Sequence, residues 1–187
     1  MNTFKTTPGP TLGRRSMAET FVVRDARPDG AEALAAIYRP FVERTVVSFE
    51  LAVPGAAEFA ARIAAVQQGH AWLVAAAAAR PIGYAYGCKH RERAAYRWTV
   101  EVSAYVDSGW HRRGVARALY RRLLDELAAR GYCNALAGVA LPNDASVAFH
   151  RRMGFTDVGV YHRIGHKFGR WHDVAWLERR LRDEPPG

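Results

Sequence analysis

The most informative part of the sequence runs from Thr99 to Arg130, TVEVSAYVDSGWHRRGVARALYRRLLDELAAR. From Val100 to Asp107, apolar and polar residues alternate, which is the period of a β-strand with unlike faces. From Ala116 onward, apolar side chains recur at helical spacing, and Gly131 follows as a helix stop. The stretch therefore predicts a strand, a short basic turn and a long amphipathic helix.

The turn itself, Arg112-Arg113-Gly114-Val115-Ala116, has the features of an anion-binding site. The first N–H groups of a helix have no partner within the helix, and with the helix dipole they attract phosphate. Gly114 has no Cβ, so an anion can come close to the main chain. Neither a P-loop motif nor a G-x-G-x-x-G fingerprint occurs in the sequence. A solvated basic helix start is the alternative interpretation of these residues.

Length and composition predict one globular domain over residues 17–187. The preceding tail, residues 1–16, lacks acidic residues and apolar periodicity, and we expect it to be disordered. The net charge of +9 favours anionic ligands or partners without choosing among a phosphorylated cofactor, a carboxylate, nucleic acid and a membrane surface. Cys88 and Cys133 suggest neither a zinc site nor a disulfide framework, which fits a reducing cytoplasm. No run approaches the roughly 18 apolar residues of a membrane span.

The remaining pattern predicts the order β α α β β β α β α β β. Hairpins mixed with one β-α-β crossover indicate an α/β fold with a mixed sheet. Pro40 should distort the end of the first helix, and Thr45 to Glu50 should be extended. The predicted strands cover residues 21–24, 71–75, 82–87, 100–106, 135–141, 158–162 and 172–177, and the predicted helices cover residues 30–42, 56–68, 116–130 and 145–153.

These residues resemble a known family. The strand, the Arg-Arg-Gly-Val-Ala turn and the helix look like the acetyl-CoA signature of the GNAT N-acetyltransferases. Three further blocks, Trp98 to Glu101, Leu141 to Val147 and Gly169 to Val174, look like phosphinothricin acetyltransferases within that family. The resemblance implies a mostly antiparallel central sheet flanked by helices and splayed at the central strand. One departure is His111, which stands where the signature has Gln or Arg.

The resemblance also implies acetyl-CoA as co-substrate. Main-chain groups of the central strand would bind its acetyl and pantetheine end, the turn would hold its pyrophosphate, and a residue after the next strand would contact it. The implied cofactor-binding residues are Ala104, Tyr105, Val106, Arg112, Arg113, Gly114, Val115, Ala116, Arg117 and Asn143.

For the chemistry, the resemblance implies Glu101 as general base and His150 near the thioester. Arg91, Arg93 and Tyr96 match positions that hold the amino-acid substrate. An amine with a pKa of about 10 must lose a proton before it attacks, and base catalysis contributes roughly 10²–10⁴ in rate. The implied reaction is direct acetyl transfer to the α-amine of a small glutamate-like amino acid, of the phosphinothricin or methionine sulfoximine type. Herbicide or antibiotic resistance and a homodimer are implied as well.

Several alternatives stay open at this point. The acceptor could be another small amine or a protein N-terminus, and the basic charge could belong to a nucleic-acid-binding module, although no nucleic-acid-binding motif occurs. Glu101 could be a surface residue of its strand, His150 an ordinary polar residue, and Asn143 only a helix cap. Arg91 and Arg93 could lie in an ordinary exposed loop. Four residues near the C-terminus lack a recognised metal-ligand spacing, so we expect no metal there: His162, His166, His172 and Asp173.

Overall fold

The structure is a computed structural model that describes residues 20–186. The tail predicted over residues 1–16 lies outside the described residues. The helices are α1 (Ala31–Arg44), α2 (Ala56–Gln67), α3 (Val115–Ala129) and α4 (Asp144–Arg152). The strands are β1 (Val22–Asp25), β2 (Trp72–Ala77), β3 (Arg80–Lys89), β4 (Thr99–Val106), β5 (Asn134–Ala140), β6 (Thr156–Lys167) and β7 (Arg170–Arg180).

The seven strands form one sheet in the order β1-β2-β3-β4-β5-β7-β6. The central pair, β4 and β5, is parallel, and the other neighbouring pairs of these seven strands are antiparallel. The long helix α3 makes the crossover between the two parallel strands. The mixed, mostly antiparallel sheet flanked by helices is therefore confirmed.

The sheet opens at its centre. Strand β4 pairs with β3 from Val100 to Val106, but its register with β5 covers only Thr99 to Glu101. Strand β5 meanwhile continues to Ala140 in its pairing with β7. The side of β4 beyond Glu101 therefore faces an opening instead of a strand. The predicted splay at the central strand is confirmed.

Each face of the sheet carries its own core. Val100, Val102 and Val106 of β4 pack in a cluster with buried leucines of α3. Tyr105 points the other way, into an aromatic cluster beneath α1 and α2. Because side chains alternate along a strand, Glu101 shares the α1/α2 face with Tyr105. The alternation that predicted the strand thus also places Glu101 away from α3.

The end of α1 differs from the prediction. The helix continues through Pro40 to Arg44, because the buried side chain of Val42 anchors its last turn. The Thr45 hydroxyl donates to the Phe41 carbonyl at 2.7 Å and satisfies one of the terminal acceptors. The segment after it, predicted to be extended, forms bends outside any strand.

The hairpin of β2 and β3 is confirmed, but its turn carries no sequence signal. Ala78 and Ala79 occupy it with φ of 45° and 67°, a region where glycine or asparagine is usual. The β6–β7 hairpin is longer than predicted, because most of β6 lies exposed at the sheet edge and shows no alternation of buried residues. Near its tip, the buried Lys167 ammonium donates to the carbonyls of Val42 and Ser48 at 2.6 and 2.7 Å.

Every helix formed by residues 20–186 is too short or too polar to span a membrane.

Candidate active site

The turn before α3, which we call the cradle, has the geometry that an anion-binding helix start requires. Gly114 is the N-cap, with φ of 82°, and among the described residues no side chain caps this helix end. The first helical bond runs from the Ala118 N–H to the Gly114 carbonyl, so the N–H groups of Val115, Ala116 and Arg117 point out of the helix. A Cβ built on Gly114 would meet no atom of residues 20–186 within 4 Å. Glycine is therefore required here by conformation, and the space in front of it is open.

Positive charge surrounds this cradle. Arg112, Arg113 and Arg117 are not buried, and the Arg113 guanidinium lies over the Trp110 ring at 5.0 Å. A groove of about 310 Å³ continues from Arg117 along α3 to the end of α4. Its lining is mostly basic and consists of Arg117, Arg121, Leu124, Asp125, Arg152, Met153 and Arg179. This surface suits a ligand with several phosphate charges.

His111, the departure from the signature, has a defined partner. Its Nε2 lies 3.0 Å from the Val106 carbonyl oxygen. Since a carbonyl only accepts, Nε2 donates, and the ring ties the turn to the end of β4. The carbonyl of Val106 is consequently already bonded within the protein.

The pairing of β4 shows which main-chain groups face the opening. The Asp107 N–H donates to the Ile82 carbonyl at 2.9 Å, on the β3 side. Main-chain groups alternate in direction along a strand, so those of Tyr105 also point toward β3. Those of Ala104 and Val106 point toward the opening. The main-chain groups of Tyr105 belong to the β3–β4 ladder and its ring is buried, and a contact between Tyr105 and a cofactor stays a prediction.

Glu101 lies at the start of the opening, and 34% of its side chain is exposed. Its Oε1 is 2.7 Å from Nδ1 of His90. Nε of Arg91 donates to the other nitrogen of that imidazole, at 3.2 Å. The Tyr96 ring meets the His90 ring edge to face at 5.8 Å, and the Arg91 guanidinium lies over Tyr96 at 5.9 Å. Three of the site residues predicted from the sequence, Glu101, Arg91 and Tyr96, therefore contact His90.

His90 was not predicted from the sequence. The residue sits in a mixed-charge loop, where nothing in the local pattern separates it from its neighbours. The pairing of β3 with β4 is what could have indicated it. Cys88 is the partner of Glu101 across that ladder, and His90 follows Cys88 by two residues. Arg93 lies exposed on the same loop, where its carbonyl accepts the Tyr96 N–H at 3.0 Å.

His150 lies on the opposite face of the sheet from Glu101. The imidazole is buried, donates Nδ1–H to the Ser146 carbonyl at 2.8 Å and accepts at Nε2 from the Tyr120 hydroxyl at 2.9 Å. Burial lowers the pKa of His150, and the bond to Ser146 opposes that effect only partly. The ring is therefore neutral at pH 7 and has partners at both nitrogens. The structure does not bring the two predicted catalytic residues into contact.

Asn143 follows β5 and caps α4. Its Oδ1 accepts the Ser146 N–H at 3.2 Å, as the capping prediction has it. The side-chain NH₂ group is not used by this bond. A contact between Asn143 and a cofactor stays a prediction.

An aromatic cavity, which the sequence did not predict either, lies on the Glu101 face beneath α2. Its volume is about 230 Å³, and Arg62 in its lining forms a bidentate pair with Glu50, at 2.7 and 3.1 Å. The cavity is lined by Tyr38, Phe59, Arg62, Ala65, Val66, Trp72, Tyr84 and Tyr86.

The C-terminal histidines have protein partners. Nδ1 of His162 pairs with Asp173 at 2.9 Å, and Nε2 of the buried His172 donates to the Lys167 carbonyl at 3.0 Å. Among residues 20–186, no group of three or more His, Cys, Asp or Glu side chains is arranged to hold a metal ion.

Known proteins are similar to this chain in sequence and in fold. The family described as acetyltransferase (GNAT) domain matches residues 23–176. A phosphinothricin N-acetyltransferase of Streptomyces coelicolor is 47% identical over 100 residues, which is 54% of this chain and 58% of that relative. An L-methionine sulfoximine/L-methionine sulfone acetyltransferase of Pseudomonas paraeruginosa is 34% identical over 85% of this chain and 94% of its own.

The solved structures agree with the sequence relatives. The crystal structure of a GNAT superfamily phosphinothricin acetyltransferase from Sinorhizobium meliloti, in complex with acetyl-CoA, superposes with a TM-score of 0.84 at 32% identity. The superposition covers 89% of this chain and 94% of that one. Fold, splayed sheet and sequence all agree, and the chain belongs to the GNAT family of N-acetyltransferases.

Proposed function

We propose that the protein transfers acetyl from acetyl-CoA to the α-amine of a small glutamate-like amino acid. The main support for the proposal is the start of α3, which begins at Gly114, has no side-chain cap among the described residues and lies beside the opening of the sheet. Glu101, on the strand β4 next to this opening, adds a partly exposed carboxylate. The names of the relatives, which include phosphinothricin and methionine sulfoximine acetyltransferases, support the choice of acceptor.

The cofactor fits the residues present. The N–H groups of Val115, Ala116 and Arg117 would bind the pyrophosphate, with Arg112 and Arg113 beside it. The outward main-chain groups of Ala104 and the N–H of Val106 would bind the pantetheine arm in the opening, with Asn143 on the facing side. When bound, acetyl-CoA supplies an activated acetyl group as a thioester.

Glu101 would act as the general base. The acceptor arrives as an ammonium ion, with a pKa of about 10, and one proton passes from its nitrogen to the carboxylate, directly or through one water. The freed lone pair forms the N–C bond with the acetyl carbon while an N–H facing the opening, such as that of Ala104, stabilises the oxyanion. The C–S bond then breaks, the attacking nitrogen releases its second proton, and the departing thiolate takes up a proton, which leaves the amide, the CoA thiol and a protonated Glu101.

Arg91, Arg93 and Tyr96 would recognise the acceptor. Arginine pairs bidentately with carboxylate, phosphinate and similar planar or tetrahedral oxyanions. Their loop leads into β4, so an acceptor held there would have its amine beside Glu101. This placement favours an amino acid with a second oxyanion at its far end.

His150 or a tyrosine such as Tyr105 would give the proton to the thiolate. For His150 the imidazole would first have to take up a second proton, because in the neutral ring Nδ1–H is donated to Ser146 and Nε2 accepts from Tyr120. Because both of its nitrogens already have partners, this role requires a rearrangement of the pair. A purely structural role for His150 is the competing hypothesis, and it predicts a pH dependence of stability that thermal melts can measure.

The predicted homodimer and cytoplasmic location are part of the proposal. The edge strand β6 exposes Val158, Val160 and Ile164 at 56%, 41% and 56%, and an apolar edge strand is a surface on which a second copy can pair. Both cysteines are free thiols, as suits a reducing compartment. Light scattering should give a dimer for the wild type and a monomer for Val160→Glu. A monomeric wild type would contradict the homodimer.

The experiment that tests the function is a free-thiol assay of CoA release with a panel of acceptors. The panel contains phosphinothricin, L-methionine sulfoximine, L-methionine sulfone, L-glutamate, a polyamine and a peptide with a free N-terminus. We expect the highest kcat/KM for the phosphinothricin and sulfoximine group. A preference for the polyamine or the peptide would overturn the acceptor class and support one of the alternatives.

A further inference from the structure

His90 is held in one orientation by its surroundings. Only 12% of its side chain is exposed, and its ring meets those of Tyr96 and Trp176 edge to face at 5.8 and 6.3 Å. Both ring nitrogens also have polar partners, Glu101 at Nδ1 and Arg91 at Nε2. Such a ring has little freedom to rotate.

The partners also determine where the imidazole proton lies. Arg91 can only donate, so Nε2 of His90 must accept and cannot carry a proton. In the neutral ring the proton is then on Nδ1, which points at Oε1 of Glu101 from 2.7 Å. A chain of hydrogen bonds therefore runs from the Arg91 guanidinium through the imidazole to the carboxylate.

We propose that His90 is a positioning residue that orients the Glu101 carboxylate for proton abstraction, and that Arg91 selects the tautomer it needs. The inference rests on the proposed function, since it presupposes Glu101 as the base. The Nδ1–H group holds one carboxylate oxygen and leaves the second to take the proton of the acceptor ammonium.

Arg91 connects this device to the acceptor. Its bond to His90 uses Nε, so the two terminal nitrogens of the same guanidinium can face a substrate oxyanion. A guanidinium fixed by a bound acceptor would hold the imidazole, and through it the carboxylate, more firmly. Acceptor recognition and orientation of the base are coupled in this arrangement.

The kinetic test uses L-methionine sulfoximine and acetyl-CoA with three variants. His90→Phe keeps a ring of similar size against Tyr96 and Trp176 but removes the donor, and we expect kcat to fall about 10- to 100-fold with an unchanged KM for acetyl-CoA. His90→Asn returns an N–H near the Nδ1 position and should recover most of the loss. His70→Phe, at a histidine whose ring also packs against a tyrosine, Tyr132, is the control and should keep the wild-type kcat.

A double variant separates this inference from the proposed function. Glu101→Gln should reduce kcat by about 10²–10⁴. Adding His90→Phe should reduce kcat no further, because His90 is proposed to act only through the Glu101 carboxylate. If Glu101→Gln lowers kcat but His90→Phe keeps the wild-type kcat, the role proposed for His90 is wrong and the role proposed for Glu101 stands. A fully active Glu101→Gln overturns the proposed base and the inference with it.

A spectroscopic readout needs no acceptor. In enzyme labelled with ¹⁵N-histidine, the signals missing from His90→Asn identify His90, and its two nitrogens report the tautomer. We expect Nδ1–H in the wild type and loss of that preference in Arg91→Met. An Nε2–H tautomer in the wild type would overturn the inference whatever the kinetics show.

Discussion

Cys88 and Glu101 stand opposite each other across the β3–β4 ladder. Burial, assisted by the charge of the nearby carboxylate, raises the pKa of the Cys88 thiol to about 11. The group is therefore almost wholly a neutral thiol at pH 7. Although it lies next to the proposed base, it is not an activated nucleophile, which fits direct transfer without a covalent intermediate.

Cys88→Ser should consequently keep the wild-type kcat. We also expect slow alkylation of the wild-type thiol by iodoacetamide near neutral pH, with a rate that rises up to about pH 11 as the thiolate forms. Cys133→Ser, at the buried second cysteine, serves as the control for folding. Radioactive acetyl trapped on Cys88 after acid quenching would contradict direct transfer.

Gly114→Ala should weaken the binding of CoA. A Cβ is disfavoured at φ of 82°, at a cost of roughly 1–2 kcal/mol, so the turn must shift and the N–H groups of α3 lose their alignment. Isothermal titration calorimetry should show an increase of about tenfold in Kd.

The matched control for this variant is Gly169→Ala. Gly169 lies in the turn between β6 and β7 with φ of 73° and equally open space among the described residues, so it carries the same backbone penalty away from the cradle. We expect it to lower Tm without a change in Kd. An equal loss of affinity in both variants would mean that Gly114 acts through general stability.

Arg93→Ala should raise the KM for the acceptor and leave slow hydrolysis of acetyl-CoA unchanged. The reason is that the side chain is proposed to bind an acceptor oxyanion and has no part in thioester binding. Arg97→Ala is the comparison, because Arg97 lies on the same loop with its guanidinium over Trp98 at 5.2 Å. Equal KM values in wild type and Arg93→Ala would remove Arg93 from the acceptor site.

His150→Phe should lower Tm at pH 7.5, because the buried hydroxyl of Tyr120 loses its acceptor, at a cost of about 1–3 kcal/mol. The pKa of His150 is lowered in the folded state, so below the unfolded value of about 6.5 the unfolded chain binds a proton that the folded chain excludes. The neutral His150 therefore contributes fully to the stability of the wild type above a pH of about 6.5. This contribution is lost as the pH falls toward the pKa that His150 has in the folded protein.

The difference in Tm between the wild type and His150→Phe should therefore narrow from pH 7.5 to pH 5. His70 also has a lowered pKa, but it is present in both proteins and cancels in the difference. Thermal melts across this range measure the effect. A difference that stays constant or widens on acidification would contradict a buried, neutral His150.

The sequence predicts well what depends on near neighbours. The alternation in β4, the spacing in α3 and Gly131, with φ of 95° at the helix end, are local signals, and the structure agrees with them. Strand β6 was predicted too short because a strand exposed at the sheet edge needs no alternation of apolar residues.

The candidate site was predicted less completely, for a physical reason. Roles such as that of His90 arise from register between strands, and a cross-strand contact leaves no period in the sequence. His111 is a similar case, because its bond to Val106 depends on how the turn folds back. The direction of the Tyr105 main-chain groups, which pair with β3, likewise depends on register and not on a local pattern.

In the proposed mechanism, the start of α3 would hold the pyrophosphate and so present the thioester to Glu101. A crystal structure of the enzyme soaked with acetyl-CoA tests this most directly. We expect phosphate oxygens within hydrogen-bond distance of the N–H groups of Val115 to Arg117, and an acetyl carbon in the opening with the Glu101 carboxylate facing it. A cofactor bound elsewhere, with the turn unoccupied or Glu101 directed away from the acetyl group, would contradict it.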